Sequence, residues 1–527
     1  MPAIVFYFQV HQPFRFRPYT VFDLGVDHLY ENAETNRSIL RKVAEHCYLP
    51  ANTLLLSLIK AWKGAFKVSF SISGTALDQF EAYAPEVIDS FKRLAKTGCV
   101  EFIGETYSHS LSFLFSPKEF AEQVHMHRQR IQDLFGVTPV TFRNTELIYN
   151  NDLARTVEDM GFEAVLAEGA DHLLGWRSPN YMYQPVNCHK IRLLLRNHRL
   201  SDDIAFRFSD QSWAGFPLTA DTYAAWLHSL DNQSEVINLF MDYETFGEHH
   251  HEDTGIFAFL EALPGAVLDH GSFSFMTPSQ AARTIQPVAK LDVPQYVSWA
   301  DAERDLTAWL GNDMQLDAVE SLYRLEDRAR SAGDDGLLRV WRRLQTSDHF
   351  YYMSTKWLSD GEVHSYFNPY GSPYDAYINF MNVLADFETT LAEQPAQSAR
   401  PARQTPAVDV PAAASPAAPK APARKRAPQK KEADVPAAET AAKPKATARK
   451  NGAKTGARTK KSDDAVSTGT ADKQPVMAAK EKSPAASGKR AKAGEATSKE
   501  SHPSAPVAIA DIPRSKRAKE RHVESLA

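Results

Sequence analysis

Short apolar runs that end abruptly in polar residues recur along the first part of the chain. The clearest is VINLFMDYETFGEHHH (236–251), where branched and aromatic residues give way to Asp242, Glu244 and Glu248. A short apolar run of this composition predicts a buried β-strand. Because burying a charge is costly unless it is paired, carboxylates at the end of the strand indicate a cleft.

Similar runs predict further strands, and several of them also end in polar residues. The run 4–10 leads into His11, 99–103 opens into Glu105 and His109, and 140–146 ends in Glu146. Two more predicted strands cover 66–72 and 163–167.

Helix signals lie between these strands. Ser116 is a predicted N-cap, followed by Pro117 at the first turn and Glu119 in a capping-box position, and Gly136 is placed to end this helix. Helices are also predicted at 34–63 and 151–160. Strands alternating with helices predict parallel α/β units, closed into a barrel or forming a doubly wound sheet. In both architectures ligands bind at the carboxyl ends of the strands.

Beyond about residue 275 the apolar pattern becomes helical. Ser298 is a predicted N-cap for a helix that carries Trp299 and Trp309 near one face. Further helices are predicted at 315–358 and 373–392.

Composition divides the chain into an acidic body and a basic tail. Residues 401–527 contain 27 Lys and Arg against 13 Asp and Glu, and no aromatic residue, whereas residues 1–400 contain 33 basic and 52 acidic residues. Ala, Pro, Lys, Ser and Thr dominate the tail, so it has too little apolar surface to offset chain entropy, and disorder is predicted.

The cysteines and the apolar segments predict a cytoplasmic location. Three cysteines without C-x-x-C spacing argue against a disulfide framework and suit a reducing compartment. The N-terminus lacks the basic region of a signal peptide, and no apolar run approaches the roughly 20 residues of a membrane-spanning helix. Contact with a membrane is therefore not expected.

Glu146 and Asp242, each at the end of a predicted strand, form a pair suited to glycoside hydrolysis. One carboxylate would attack the anomeric carbon and the other would protonate the leaving oxygen. Arg143 and Asn144 are candidate donors to Glu146. Glu244 is a candidate for raising the pKa of Asp242 through like-charge repulsion, as is Glu248.

A candidate metal site consists of His249, His250, His251 and Asp253, since imidazole and carboxylate suit Zn or Mn. Consecutive histidines rarely converge on one ion, so a loop is the preferred interpretation. The chain contains no P-loop, G-x-S-x-G or H-E-x-x-H motif, which argues against P-loop nucleotide hydrolysis, an α/β-hydrolase triad and a zincin site.

Five stretches of the sequence, in order and over about 350 residues, are YFQVHQP (7–13), GETYSHSL (104–111), FRNTELIY (142–149), MDYETFGEH (241–249) and TSDHFYYM (346–353). In these stretches the chain resembles glycoside hydrolase family 57, in particular its α-amylase-like members. The resemblance implies an α/β fold, a distorted (β/α)7 barrel followed by a helical region that closes one side of the cleft.

Residue by residue, the resemblance implies that Glu146 is the nucleophile and Asp242 the general acid/base of a retaining double displacement on α-glucans. Their carboxyl groups are then expected roughly 5–5.5 Å apart. The substrate-binding residues that it implies are His11, Glu105, His109, Trp309, Asp348 and His349. It implies no metal and no cofactor.

The sequence thus predicts a catalytic barrel over 1–275, a helical region over 276–395 that completes the cleft, and a disordered tail over 396–527. The predicted function is that of a retaining α-amylase acting on α-1,4-glucans. A 4-α-glucanotransferase or a branching enzyme of the same family remains an alternative, as do a catalytically weak glucan-binding protein and a metal-dependent polysaccharide deacetylase. The tail is either a solvated spacer or an arm that binds a polyanion or an acidic protein surface. The oligomeric state is not predicted.

Overall fold

The structure, a computed structural model, describes residues 1–356 and 368–393. The tail predicted for 396–527 lies outside the described residues. The strands of the described chain belong to one sheet and are β1 (Ala3–Val10), β2 (Val68–Ile72), β3 (Val100–Phe102), β4 (Thr141–Arg143), β5 (Ala164–Glu168), β6 (Tyr183–Pro185), β7 (Arg192–Arg196), β8 (Val236–Asp242), β9 (Ser274–Phe275) and β10 (Ala289–Leu291).

Helices connect the strands and form the C-terminal part of the described chain. Those up to β8 are α1 (Ala33–Val43), α2 (Leu49–Ala61), α3 (Gly74–Tyr83), α4 (Pro85–Ala95), α5 (Ser112–Phe115), α6 (Pro117–Phe135), α7 (Asn151–Asp159), α8 (Asp171–Leu174), α9 (His198–Ala205) and α10 (Ala220–His228). Those after β8 are α11 (Ile256–Leu268), α12 (Pro278–Thr284), α13 (Thr307–Leu310), α14 (Asp313–Arg324), α15 (Glu326–Ser331), α16 (Asp335–Leu344), α17 (Ser347–Tyr351) and α18 (Pro373–Glu393). A π-helical turn (Ala44–Tyr48) joins α1 to α2.

Seven parallel strands close into a barrel in the order β1, β2, β3, β4, β5, β7, β8 and back to β1. The contact between β3 and β4 is short: Gly104 pairs with Phe142, and the backbone nitrogen of Gly104 donates to Thr141 at 2.9 Å. β7 and β8 meet through Arg196 and Asn238. The predicted distorted (β/α)7 barrel is therefore confirmed, and the doubly wound sheet that the residue pattern left open is not formed.

Burial on both faces explains why the barrel strands are so apolar. All eight residues of β1 are buried, and so are the first six of β8. Parallel strands covered by helices must bury both faces, which requires nearly continuous apolar runs. The carboxyl ends are where such a run can change to polar residues, since a strand ends there.

The start of α6 follows the prediction in part. The Ser116 hydroxyl accepts a hydrogen bond from the Glu119 backbone nitrogen at 3.1 Å, and Gly136 ends the helix with a left-handed φ of 73°. The carboxylate of Glu119, however, pairs with Arg330 and Arg342 of α15 and α16 instead of closing a capping box. The predicted cap thus serves to attach the helical region to the barrel.

The helical region has its own core and covers the carboxyl ends of the strands. Trp309, Trp341, Phe350 and Phe380 pack together with Phe16 of the segment that follows β1. The backbone nitrogen of Ser347, the first residue of α17, donates to the carbonyl of His109 at 2.9 Å. α17 is therefore fixed directly beside a strand-end residue of the barrel.

The helix predicted to begin at Ser298 is wrong at its start, because the helix begins at Thr307. The Ser298 hydroxyl donates to the carbonyl of Asp305 at 2.6 Å, and Asp301 and Arg304 adopt left-handed φ angles of 57° and 56°. These contacts fold 298–306 into a loop, which we call the Trp299 loop.

Within residues 1–356 and 368–393, no helix combines the length and the apolar character that crossing a bilayer requires.

Candidate active site

A cavity of about 870 Å³ lies at the carboxyl ends of the barrel strands. Its wall combines strand-end residues of the barrel with residues of the Trp299 loop and α17. The lining residues that carry candidate chemistry are His11, His109, Glu146, Asp242, Glu244, Trp299 and Asp348. Both predicted catalytic carboxylates therefore line one cavity.

Glu146 lies in a tight 3-10 turn directly after β4. Its φ and ψ are 57° and 25°, and Leu147 also has a positive φ of 52°. Side chains other than glycine rarely adopt this left-handed conformation, because it costs of order 1–3 kcal/mol for each residue. Such strain persists only where the surroundings impose it and is concentrated at functional sites.

The two carboxylate oxygens of Glu146 accept hydrogen bonds from three separate segments. The Trp299 indole Nε1 donates to Oε2 at 2.7 Å. His109 Nε2 lies 3.2 Å from Oε1, and the Ser347 hydroxyl donates to the same oxygen at 3.4 Å. Hydrogen bonds of this kind favour the ionised form of a carboxylate.

Asp242 is the last residue of β8 and pairs in register with Gln9 of β1. It is half-buried, and it lines the cavity together with its neighbour Glu244. The predicted separation of the Glu146 and Asp242 carboxyl groups stays a prediction.

Glu244, two residues after Asp242, is a buried acid with a strongly raised pKa. It is almost fully buried and accepts hydrogen bonds from the Tyr48 hydroxyl and from Gln12 Nε2, the latter at 3.3 Å. Burial and then the charge of Asp242 raise the pKa of Glu244 to about 8. From the sequence, this like-charge repulsion was expected to raise the pKa of Asp242; in the structure it raises the pKa of Glu244.

His109 forms a bridge between two carboxylates. Its Nδ1 lies 2.8 Å from Glu105 and its Nε2 lies 3.2 Å from Glu146. Burial alone would lower the pKa of His109, but the hydrogen bonds with Glu105 and then with Glu146 outweigh it and raise the pKa to about 9. His109 is therefore an imidazolium at neutral pH.

His11 is held neutral beside this imidazolium. Its ring stacks on His109 with 3.9 Å between centroids, and burial and then the His109 charge lower its pKa. A neutral His11 can accept from the Ser73 hydroxyl at Nδ1 (2.7 Å) and donate from Nε2 to Asp348 (2.9 Å). Burial would raise the pKa of Asp348, but His11 and His109 lower it to about 2.

Three predicted substrate-binding residues do not line the cavity in the described chain. Glu105 is fully buried behind His109 and accepts from Ser71 (2.5 Å) as well as pairing with His109. His349 stacks on Phe16, with 4.2 Å between ring centroids. Trp309 packs within the core of the helical region. Each of these side chains is buried against protein, and a role of any of them in binding substrate stays a prediction.

Trp299 is the residue that the sequence argument missed. It was expected on a helix face, yet its loop carries the indole into the cavity and onto Glu146. Arg143, a predicted donor to Glu146, instead lies over the Trp299 ring with its guanidinium carbon 4.9 Å from the centroid. The amide of Asn144 donates to the carbonyl of Ile148 at 3.1 Å. Ser347, which donates to Glu146, was also missed. Unlike Trp299, it lies in one of the five family motifs, where it directly precedes Asp348.

His250, in the histidine run after Asp242, is held by hydrogen bonds within the protein. His250 is buried, with Nε2 and Nδ1 within hydrogen-bond distance of the Ala205 carbonyl (3.0 Å) and the Ser209 hydroxyl (2.7 Å). Across residues 1–356 and 368–393, no group of three or more His, Cys, Asp or Glu side chains is arranged to hold a metal ion.

The chain matches the model of a known protein family. The model of glycosyl hydrolase family 57 matches residues 5–294. A protein of Methanocaldococcus jannaschii named "Putative alpha-amylase" is 44% identical over 412 residues, which cover 75% of this chain and 86% of that protein.

Solved structures match at the level of the fold. The 4-alpha-glucanotransferase of Thermococcus litoralis has a TM-score of 0.54 at 14% identity, and the match covers 72% of this chain and 59% of that enzyme. The family 57-type branching enzyme of Pyrococcus horikoshii has a TM-score of 0.53 at 13% identity, with 72% and 88% covered. The chain therefore spans less than two thirds of the glucanotransferase that it matches.

Proposed function

The chain belongs to glycosyl hydrolase family 57, and on that premise we propose that it is a retaining α-amylase that cleaves α-1,4-glucans. One observation carries the proposal. Glu146 and Asp242, at the ends of β4 and β8, line the same cavity, and Glu146 accepts hydrogen bonds from Trp299, His109 and Ser347. The alpha-amylase name of the 44% identical relative supports hydrolysis as the outcome.

In the first step, an oxygen of Glu146 attacks the anomeric carbon while Asp242 gives its proton to the departing glycosidic oxygen. The bond to the leaving sugar breaks and a glycosyl-enzyme ester forms. In the second step, the carboxylate of Asp242 takes a proton from water, whose oxygen attacks the same carbon and releases Glu146. No metal or cofactor takes part in either step.

The neighbouring side chains have supporting roles in this proposal. Asp348 lines the cavity with a carboxylate that accepts from sugar hydroxyl groups, and His11 holds this carboxylate through the hydrogen bond from Nε2. The His109 imidazolium stabilises the charge of Glu146 and is itself held by Glu105, which acts from behind the cavity.

Product analysis with maltoheptaose as the sole substrate tests the proposal. We expect native protein to give shorter sugars with a matching rise in reducing ends, and Glu146→Gln to give none. The matched control is Glu163→Gln, because Glu163 pairs with Arg283 on the surface away from the cavity. Longer and shorter sugars at constant reducing ends would make the protein a transferase, and an unchanged substrate that still binds would favour a glucan-binding protein.

Two sequence predictions stay as predictions here. The basic tail, proposed to bind a polyanion or an acidic protein surface, lies outside the described residues. The cytoplasmic location rests on the cysteine pattern, and all three cysteines are free and buried.

A further inference from the structure

Arg143 is a buried cation whose role the proposed reaction leaves open. Its side chain is fully buried, and none of its three guanidinium nitrogens has a hydrogen-bond partner among the described residues. Its guanidinium carbon lies over the Trp299 ring, 4.9 Å from the centroid. An aromatic face attracts a cation and offsets part of the cost of burying its charge.

Trp299 contacts Glu146 at two points. Besides the indole bond to Oε2 at 2.7 Å, its backbone nitrogen donates to the carbonyl of Glu146 at 3.2 Å. One residue therefore holds both the backbone and the carboxylate of Glu146. The terminal torsion of a glutamate side chain is broad, so the indole bond to Oε2 restricts the orientation of the carboxylate plane.

The Trp299 loop is in turn fixed to the barrel. Arg304 donates to the carbonyl of Trp299 at 2.9 Å and to Glu168 of β5 at 3.1 Å. Arg196 of β7 also donates to Glu168, at 3.2 Å, and lies 5.8 Å from the Trp299 ring. The indole of Trp299 thus lies between two buried cations, Arg143 and Arg196. Its loop is attached through Arg304 to Glu168 of β5, which Arg196 of β7 also contacts.

We propose that Trp299, whose ring lies beneath the buried Arg143, is a positioning residue for Glu146. This inference rests on the proposed nucleophilic role of Glu146. The acceptor of the indole N–H is a charged carboxylate, which strengthens the hydrogen bond. Trp299 thereby holds Glu146 in the orientation for attack, so that less ordering is needed in the transition state.

Single-turnover release of fluoride from α-maltosyl fluoride, with enzyme in excess, tests this role. Fluoride leaves without protonation, so the rate constant reports attack by Glu146 and depends little on Asp242. We expect Trp299→Phe, which keeps a ring beneath Arg143 but removes the N–H, to lower this rate constant about 10- to 100-fold. Substrate affinity should change little, since the lost bond is to the enzyme itself.

Trp341→Phe is the matched control, because Trp341 is a buried indole that donates to the carbonyl of Leu322 in the helical region. It should retain the native rate constant. Arg304→Gln is the second variant in case Trp299→Phe does not fold: it keeps the indole but removes a bond to the loop, and should slow fluoride release by at least about threefold.

Glu146→Gln separates this inference from the proposed function. Fluoride release at the native rate by Glu146→Gln would overturn the nucleophile assignment and with it the positioning role. If Glu146→Gln is inactive while folded Trp299→Phe keeps the native rate constant, only the positioning role is wrong. If Trp341→Phe loses as much of the rate constant as Trp299→Phe, the effect is a general structural one, and the positioning role of Trp299 is overturned. If Trp299→Phe does not fold, a native rate constant in Arg304→Gln would overturn the positioning role.

Discussion

Replacing Glu105 by glutamine should reveal how much His109 depends on its partner behind the cavity. The pKa of His109 is raised from 6.5 to about 9, and that of Glu105 is lowered from 4.5 to about 2. For Glu105, burial acts in the opposite direction, and the His109 contact outweighs it. Each of the two pKa shifts corresponds to about 3 kcal/mol. Because both shifts describe largely the same contact between His109 and Glu105, this free energy is counted once.

The pH dependence follows from the direction of the shifts. Because the folded pKa of His109 lies above its unfolded value, its stabilisation is complete below pH 6.5 and is lost as the pH rises through about 9. The contribution of Glu105 is complete above pH 4.5 and is lost as the pH falls through about 2. Between pH 4.5 and 6.5 the pair therefore contributes fully.

We expect Glu105→Gln to lower the free energy of unfolding by about 1–3 kcal/mol at pH 6, and by clearly less at pH 10. Urea unfolding of native and variant protein between pH 6 and 10 measures this difference. Titration of other groups, such as Glu244, is common to both proteins and largely cancels. The alkaline limb of kcat should also move to lower pH in the variant, because His109 would then lose its proton more easily.

Glu119→Gln is the control for this experiment. Glu119 is equally buried, but it is paired with Arg330 and Arg342, which stay protonated over this range. Its loss of stability should therefore be the same at pH 6 and pH 10. If the Glu105→Gln difference also stays constant to within about 0.5 kcal/mol, the assignment of His109 as an imidazolium held by Glu105 is refuted.

Three further predictions concern stability, titration and metal dependence. Gly247→Ala should strongly destabilise the fold, because an added Cβ would lie 2.0 Å from the carbonyl oxygen of His46 and the φ of Gly247 is 111°. The control is Gly25→Ala, which should cost only about 1 kcal/mol, since no atom lies within 4 Å of the added Cβ. Thermal unfolding of the two variants measures the difference. Glu244→Gln should gain stability relative to native protein as the pH rises from 4.5 through about 8, since the native carboxyl must then ionise in a buried site beside Asp242; equal pH dependence of both proteins in urea unfolding would contradict this. Activity on maltoheptaose should persist in excess chelator, because the two-carboxylate mechanism needs no metal; its loss, with recovery on adding a divalent ion, would contradict that mechanism.

The sequence alone determined the barrel and the two catalytic candidates. Each buried parallel strand needs a nearly continuous apolar run, so its end is visible where polar residues begin. Glu146 and Asp242 stand at such transitions, and the carboxyl ends of parallel strands meet at one face. The residue pattern did not separate a closed barrel from an open sheet, because closure depends on two short contacts, of Gly104 with Phe142 and of Arg196 with Asn238. The family motifs supplied that distinction.

Only the tertiary structure decided which side chains surround Glu146. Trp299 and Trp309 have similar positions in a helical pattern. The contacts of Ser298, however, place Trp299 in a loop, where its indole reaches Glu146, 153 residues away in the chain. Trp309 is instead buried in the core of the helical region. Glu105 likewise matches a site motif but lies behind His109. Local pattern determines what a residue can form, whereas its distance to a residue remote in sequence depends on the path of the whole chain.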